Sequence, residues 1–249
     1  MDAHQANYQP QLFELEQPSN FLKHGSPFSE PSRGFIHLKS SNFDAIEVRG
    51  AAIRLVKHFR VDRDKVQVQS LRTTQHENIV NLKEVFLDQD VIFFIYDDWG
   101  IPLDRICSIF YLGEIEVATI CNNVLQALVY LHEALGISHG AIQPSNILIM
   151  PDGGVKLANI GNSMIRQLGR EYQYQDVLAV CYLVRSFLGI GSRGLLGCLS
   201  EDFIRPYPVL QAADLLKHPF LQFSTGKWCL RVLRELYLVS GFTDSMMLC

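Results

Sequence analysis

The segment HGAIQPSNILI, residues 139–149, sets a histidine, a proline and an asparagine in a fixed frame, and Asn159 follows it. Asn146 and Asn159 carry amide oxygens that could ligate a divalent cation, and His139 could donate or accept a proton. Ala141, between them, has neither charge nor acceptor. A neutral amide is also a much poorer ligand for a hard dication than a carboxylate. The spacing therefore predicts a polar loop that lacks an acid.

Each of these polar residues also has a structural interpretation. Without a carboxylate at position 159, we expect Asn146 to form hydrogen bonds within its own loop, although a metal-ligand role stays open. His139 is interpreted as a packed histidine. Arg54 could hold a phosphate or be an exposed strand arginine.

The elements around this loop alternate between strand and helix patterns. The apolar runs NILIM and VKLANI flank PDGG, whose glycines favour a hairpin turn. Short alternations within 34–59, and the run at 91–99, predict strands. The residues 62–75 carry the spacing of a short helix. Later apolar spacing predicts longer helices at 116–135, 175–189, 209–221 and 226–241.

Composition excludes several function classes. The 249 residues are 48% hydrophobic and carry a formal net charge of −4 without a basic run, which argues against a nucleic-acid partner. The longest apolar run contains Arg185 and is too short to span a membrane. The six cysteines are scattered, and we see no secretory signal. We therefore expect a soluble cytoplasmic or nuclear protein without a membrane partner.

The order of these elements resembles the protein kinase superfamily. Its catalytic loop has the form H-R-D-x-x-x-x-N, followed by D-F-G, and the chain has His139, Ala141 and Asn146, then Asn159 and Gly161. Further segments resemble the family in the same order: HENIVNLKEVF, IYDDWG, QDVLAVCYLV and DLLKHPFL. The resemblance implies an α+β fold with a small β-rich N-lobe and a reduced, mostly helical C-lobe.

The resemblance also implies which residues face a nucleotide. Arg54 stands where the phosphate-binding lysine would be, with Lys57 as the rival assignment, and Gln67 replaces the helix glutamate. No glycine occurs between Gly34 and Gly50, so the phosphate-covering loop is missing. The candidate nucleotide contacts, of which the first two would lie above and below the adenine ring, are Ala52, Leu148, Trp99, Arg54, Asn146 and Asn159.

The family's activation segment is much shortened. Only NSMIRQLGREYQYQ separates Gly161 from Asp176, so a peptide-substrate platform is not expected. The resemblance implies that the architecture survives, because Leu71, Leu82, His139 and Ile160 would form the family's interlobe stack. Asp176 would then anchor the backbone of the catalytic loop.

These observations predict a flexible tail at 1–32, an N-lobe and hinge at 33–103, a truncated C-lobe at 104–222 and an additional helix at 223–249. The function predicted is that of a pseudokinase, which binds proteins such as an active kinase or its substrates. No catalytic residue, metal or cofactor is expected. One alternative is a weak or unconventional phosphotransferase that uses ATP and magnesium with Asn146, Asn159 and Arg54. Another is an omitted exon between codons 161 and 176.

Overall fold

The computed structural model describes residues 21–37, 45–49, 52–61, 68–189, 197–205 and 211–246. The chain has two lobes, a β-rich one followed by a mostly helical one, as the resemblance implies. One large apolar core runs through both lobes. A smaller cluster, which includes Val56, Phe86 and Phe93, covers the outer face of the first sheet.

The first lobe is a six-stranded sheet in the order β1-β5-β6-β4-β3-β2. Strand β1 runs parallel to β5, and the remaining described pairs in this sheet are antiparallel. A second sheet has the order β7-β8-β9. The strands are β1 Leu22–His24, β2 Gly34–His37, β3 Ala45–Arg49, β4 Ala52–Arg60, β5 Leu82–Asp88, β6 Val91–Tyr96, β7 Ile101–Pro102, β8 Ile147–Ile149 and β9 Val155–Leu157.

The helical lobe is built around α2 and α4, which pack against each other. In α2 the buried residues Val117, Ile120, Val124 and Leu128 recur at helical spacing and face the core. The helices are α1 Leu103–Cys107, α2 Glu114–Val129, α3 Ile160–Arg166, α4 Gln173–Leu188, α5 Cys198–Phe203, α6 Ala212–Leu215 and α7 Trp228–Met246. None of the helices in the described ranges is long and apolar enough to cross a membrane.

The segment before residue 33 differs from the prediction. Residues 1–20 lie outside the described ranges, but Phe21 is buried and β1 adds to the sheet. The Arg33 guanidinium contacts Glu84 at 2.5 Å and Glu47 at 3.2 Å. The prediction of a flexible tail is therefore wrong for residues 21–32, because buried apolar and charged contacts fix them on the sheet.

Two predicted helices are only partly α-helical, or not α-helical, where the structure describes them. Residues 62–67 lie outside the described ranges, and the rest of the segment contains a 3₁₀ turn at Val68–Ser70 but no α-helix. In the described part of the stretch 209–221, which begins at residue 211, only α6 is α-helical, and a 3₁₀ helix follows at Pro219–Phe223. Pro219 has no N–H to continue the α-helical ladder, which accounts for the change. The hairpin of β8 and β9 and the helices α2, α4 and α7 are confirmed.

Candidate functional site

A buried carboxylate binds the backbone of the loop 139–146. Asp176, in the first turn of α4, accepts hydrogen bonds from the backbone N–H groups of His139 and Gly140, each at 2.7 Å. His132 Nε2 lies 3.0 Å from the same carboxylate. The predicted anchoring role of Asp176 is confirmed, and the loop conformation depends on this single buried anion.

His139 is a structural histidine in a defined tautomer. Its Nδ1 accepts a hydrogen bond from the N–H of Ala141 at 3.2 Å, so the proton lies on Nε2, which donates to the Ala158 carbonyl at 2.8 Å. The ring is buried, and burial lowers the pKa of His139 below its usual value. Both ring nitrogens are used by the backbone, which confirms the packed interpretation.

We expect the free energy of unfolding to fall as the pH drops below about 6.5, the pKa of an unfolded histidine. Because the folded-state pKa of His139 is lower, the unfolded chain binds a proton there that the folded chain does not. The contribution of His139 to the change in the free energy of unfolding with pH should approach about 1.4 kcal/mol per pH unit. It ends where the pH reaches the folded-state pKa. Urea titrations between about pH 7.5 and pH 5 measure it.

Two variants test which histidines cause this pH dependence. His139→Gln should remove the contribution of His139, and His76→Gln is the matched variant at a second histidine. Burial also lowers the pKa of His76, so His76→Gln should remove part of the slope. The lowered pKa values of Glu84 and Asp152 act in the same direction only at more acidic pH. A slope that is the same in wild-type and His139→Gln protein would contradict the prediction.

Asn146 is bound within its own loop. Its Nδ2 donates to the Ala141 carbonyl at 2.9 Å, and its backbone carbonyl accepts a hydrogen bond from the Ala158 N–H at 2.8 Å. The residue is buried. These contacts match the structural interpretation of Asn146, and they connect the position of the missing loop acid to the strand that leads to Asn159.

Asn159 has an unusual backbone and a buried amide oxygen without a hydrogen-bond partner. Its φ of +75° lies in the left-handed region, which asparagine tolerates better than most residues. It immediately precedes α3, and its Oδ1 is buried without a partner in the described part of the chain. This acceptor is the feature of the site that a donor group or a cation could use.

The structure reverses the choice between Arg54 and Lys57. Side chains alternate along β4, and Arg54 shares the outer face with Val56, where it contacts Glu84 at 2.7 Å. Lys57 shares the inner face with buried Leu55, is itself buried, and acts on the pKa of His139 through its charge. Arg54 is therefore directed away from the loop, and Lys57, the rival assignment, is the cation directed towards it; a phosphate contact by either stays a prediction.

Two aromatic side chains of β6 close the space between the sheet and α3. The hydroxyl of Tyr96 accepts a hydrogen bond from the Gly161 N–H at 3.1 Å, and burial raises the pKa of Tyr96 above its usual value. A Cβ on Gly161 would lie 2.7 Å from the ring of Phe94. The sequence interpretation missed this contact. The signal was the alternation in VIFFIY, since a tyrosine on a buried strand face needs a partner for its hydroxyl.

The structure describes only some of the other residues predicted to contact a nucleotide. Leu148 is buried in β8, opposite Pro102 of β7. Trp99 is half-buried against the main core. Ala52 lies in β4, but the structure does not describe its side chain. Gln67 lies outside the described residues. The adenine contacts of Ala52, Leu148 and Trp99 stay predictions.

The shortened segment after Gly161 is folded compactly against the loop. It consists of α3, a turn and the 3₁₀ helix Arg170–Tyr172, which leads directly into α4. Ser138 donates from its N–H to the Leu168 carbonyl at 3.0 Å and from Oγ to the Gly169 carbonyl at 2.7 Å. Helix α3, the turn and the 3₁₀ helix together occupy the chain from Gly161 to the start of α4.

The donor groups near the loop do not form a carboxylate site. Asn146 and Asn159 are neutral, and position 141 is alanine. Across the described ranges, no group of three or more histidine, cysteine, aspartate or glutamate side chains could hold a metal ion. The predicted stack residues Leu71, Leu82, His139 and Ile160 are all buried.

Comparison with known proteins gives one family. A profile described as protein kinase domain matches residues 43–182, more than half of the chain. The chain is 24% identical over 201 residues to the mitogen-activated protein kinase mpkC of Aspergillus niger, which covers 76% of this chain and 50% of that protein.

Two further relatives match shorter stretches. The chain is 29% identical over 147 residues to the serine/threonine-protein kinase PAK 5 of Rattus norvegicus, covering 59% of this chain and 20% of that protein. It is 36% identical over 97 residues to the cyclin-dependent kinase F-4 of Oryza sativa subsp. japonica, covering 38% and 21%. The chain thus spans between a fifth and a half of the length of these relatives.

Proposed function

Since the chain belongs to the protein kinase family, we propose that it is a pseudokinase, a kinase-shaped module that binds proteins and does not transfer phosphate. The observation that carries the proposal is the loop 139–146. Ala141 stands at the position of the loop acid, and its carbonyl holds the side chain of Asn146. Such a loop has no carboxylate to orient the hydroxyl of a substrate.

The residues present fit magnesium poorly. The two positions that would hold it carry Asn146, which matches the family pattern, and Asn159, where a neutral amide replaces the carboxylate that a hard dication prefers. The side chain of Asn146 is also engaged with Ala141. We therefore assign no step to magnesium and expect no cofactor.

The segment between Gly161 and Asp176 supports the same proposal. A peptide substrate needs an extended surface beside the catalytic loop, but these residues are used in α3, a turn and a 3₁₀ helix. Ser138 ties the turn to the loop. The substrate surface would have to be built from other residues.

The proposed partners are proteins, such as an active kinase or its substrates, and not nucleic acid or membrane. The family's architecture is kept while the acids are replaced, which favours a role in recognition. The five described cysteines are free thiols, which supports a reducing compartment, the cytoplasm or nucleus.

A weak or unconventional phosphotransferase is the second candidate. Lys57 is a buried cation directed towards the loop, and the Oδ1 of Asn159 is a buried acceptor without a partner. Together they could hold a phosphate and a cation in an altered pose.

Thermal unfolding with Mg-ATP distinguishes the two candidates. A ligand at about a hundred times its dissociation constant adds roughly 2.7 kcal/mol to folding stability. For a chain of this size, each kcal/mol moves the melting midpoint by roughly 2 to 4 °C. We expect a shift below about 1 °C with Mg-ATP, because the magnesium and phosphate ligands are altered.

The control variants are Lys57→Met and Arg54→Met, which remove the inner and the outer cation of β4. A rise of several degrees that disappears with a chelator, and in Lys57→Met but not in Arg54→Met, would favour the phosphotransferase. A small shift that is independent of magnesium is compatible with adenine alone and leaves the pseudokinase proposal standing.

A further inference from the structure

Helix α7 carries an exposed apolar stripe. Trp228, Val232, Leu236 and Val239 are 61%, 51%, 49% and 63% exposed. They are separated by four, four and three positions, so they lie along one side of the helix. Four large apolar side chains in one line, each about half exposed or more, are unusual on a surface that has no partner.

A different side of the same helix attaches it to its own lobe. Cys229 and Leu230 are buried in the main core, and Leu233 and Tyr237 pack against it. The packing of α7 on the lobe therefore leaves the stripe of Trp228, Val232, Leu236 and Val239 uncovered. The segment GKWCLRVLRELYLVSGF carries more apolar residues than one helix face needs, and these exposures agree with that.

Charges border the stripe along one edge. Arg231 and Glu235 are both exposed and lie one turn apart on that edge. The opposite edge carries Cys229, Leu233 and Ser240, which are uncharged. Glu235 contacts Arg234 at 2.8 Å, but Glu235 is itself 56% exposed, so its carboxylate stays accessible to a cation of a second copy.

We propose that α7 pairs in an antiparallel manner with α7 of a second copy of this chain. A two-fold axis near residues 233 and 234 would set Trp228 against Val239 of the second copy and Val232 close to its Leu236. The same patch then serves both copies, as a closed dimer requires. The inference goes beyond the pseudokinase proposal and does not depend on it.

The charge pattern distinguishes the antiparallel from the parallel pairing of the two α7 helices. A two-fold axis perpendicular to two antiparallel helices brings the same edge of each helix together, so Arg231 meets Glu235 of the second copy, twice per dimer. In a parallel pair, opposite edges meet, and Arg231 would face the uncharged edge. The positions of Arg231 and Glu235 therefore favour the antiparallel self-pair.

Sedimentation of the full chain tests the pairing through two charge variants, Arg231→Glu and Glu235→Arg. Each variant places like charges opposite each other in its homodimer, and we expect dimerisation at least about tenfold weaker than in wild type. A one-to-one mixture restores both intermolecular ion pairs, because one chain is acidic and the other basic at the two positions. We expect the mixture to recover the dimer.

The mixture distinguishes pairing between chains from effects within one helix. Each variant chain still has two like charges at positions 231 and 235, so recovery of the dimer in the mixture can come only from contacts between chains. Lys217→Glu and Glu201→Arg, at exposed positions of α6 and α5 or their ends, change the net charge equally and should dimerise as wild type does. The proposal is overturned if wild type remains monomeric at about 100 μM. It is also overturned if the variants associate like wild type, or if the mixture associates no better than its components.

Discussion

Asp176→Asn is expected to lower the free energy of unfolding by about 3 to 5 kcal/mol. The carboxylate is 2% exposed and accepts from the N–H groups of His139 and Gly140. An asparagine has one acceptor oxygen, so its NH₂ group would be directed at a backbone donor or at His132. The melting midpoint should fall by roughly 6 to 20 °C, measured by thermal and urea unfolding.

The matched control is Asp214→Asn. Asp214 is also an aspartate in the first turn of a helix, but its carboxylate is 55% exposed and contacts Lys217 at 3.0 Å. Exposed pairs contribute about 0 to 1 kcal/mol, so this change should be nearly neutral. If the two variants lost the same stability, Asp176 would not be the anchor of the loop.

The loop and its anchor could be predicted because the chain keeps the kinase frame at these positions. His139, Asn146 and Asn159 match the spacing of that frame, and the resemblance implies that Asp176 anchors the loop. The strands β8 and β9 could be predicted because glycines mark their turn. Local rules of this kind do not require knowledge of which strand pairs with which.

The cation of β4 could not be assigned from the motif alone. Arg54 and Lys57 are three residues apart, so they lie on opposite faces of a strand. Which face is inner depends on pairing with β6, where Leu55 lies opposite Tyr96 and Val56 opposite Ile95. That pairing is a tertiary fact, and the similarity of AAIR to a known motif led to the wrong face.

Strand β1 was missed for a related reason. Its three residues show no useful alternation, and it is defined by backbone pairing with β5 and by the contacts of Arg33 with Glu84 and Glu47. A segment rich in proline and serine fits the composition of a tail. The buried Phe21, the pairing of β1 with β5 and these ion pairs distinguish it from one.

Gly153→Ala is expected to weaken the attachment of α7 to the lobe. Gly153 has φ of +85°, and an added Cβ would overlap the Lys227 carbonyl oxygen and lie 2.8 Å from the Arg231 backbone nitrogen. Both atoms belong to backbone, so the first turn of α7 must move, and buried Cys229 and Leu230 move with it. We expect a loss of about 2 to 5 kcal/mol, from left-handed strain and overpacking together.

Gly136→Ala separates these two contributions. Gly136 has φ of +67°, and nothing lies within 4 Å of its added Cβ, so this variant carries the strain of about 1 to 2 kcal/mol without the overlap. Gly153→Ala should lose more stability in urea unfolding and should be cleaved faster by trypsin after Lys227 and Arg231, because the displaced turn exposes those bonds. Equal stability and equal cleavage in the two variants would mean that α7 does not rest on the turn at Gly153.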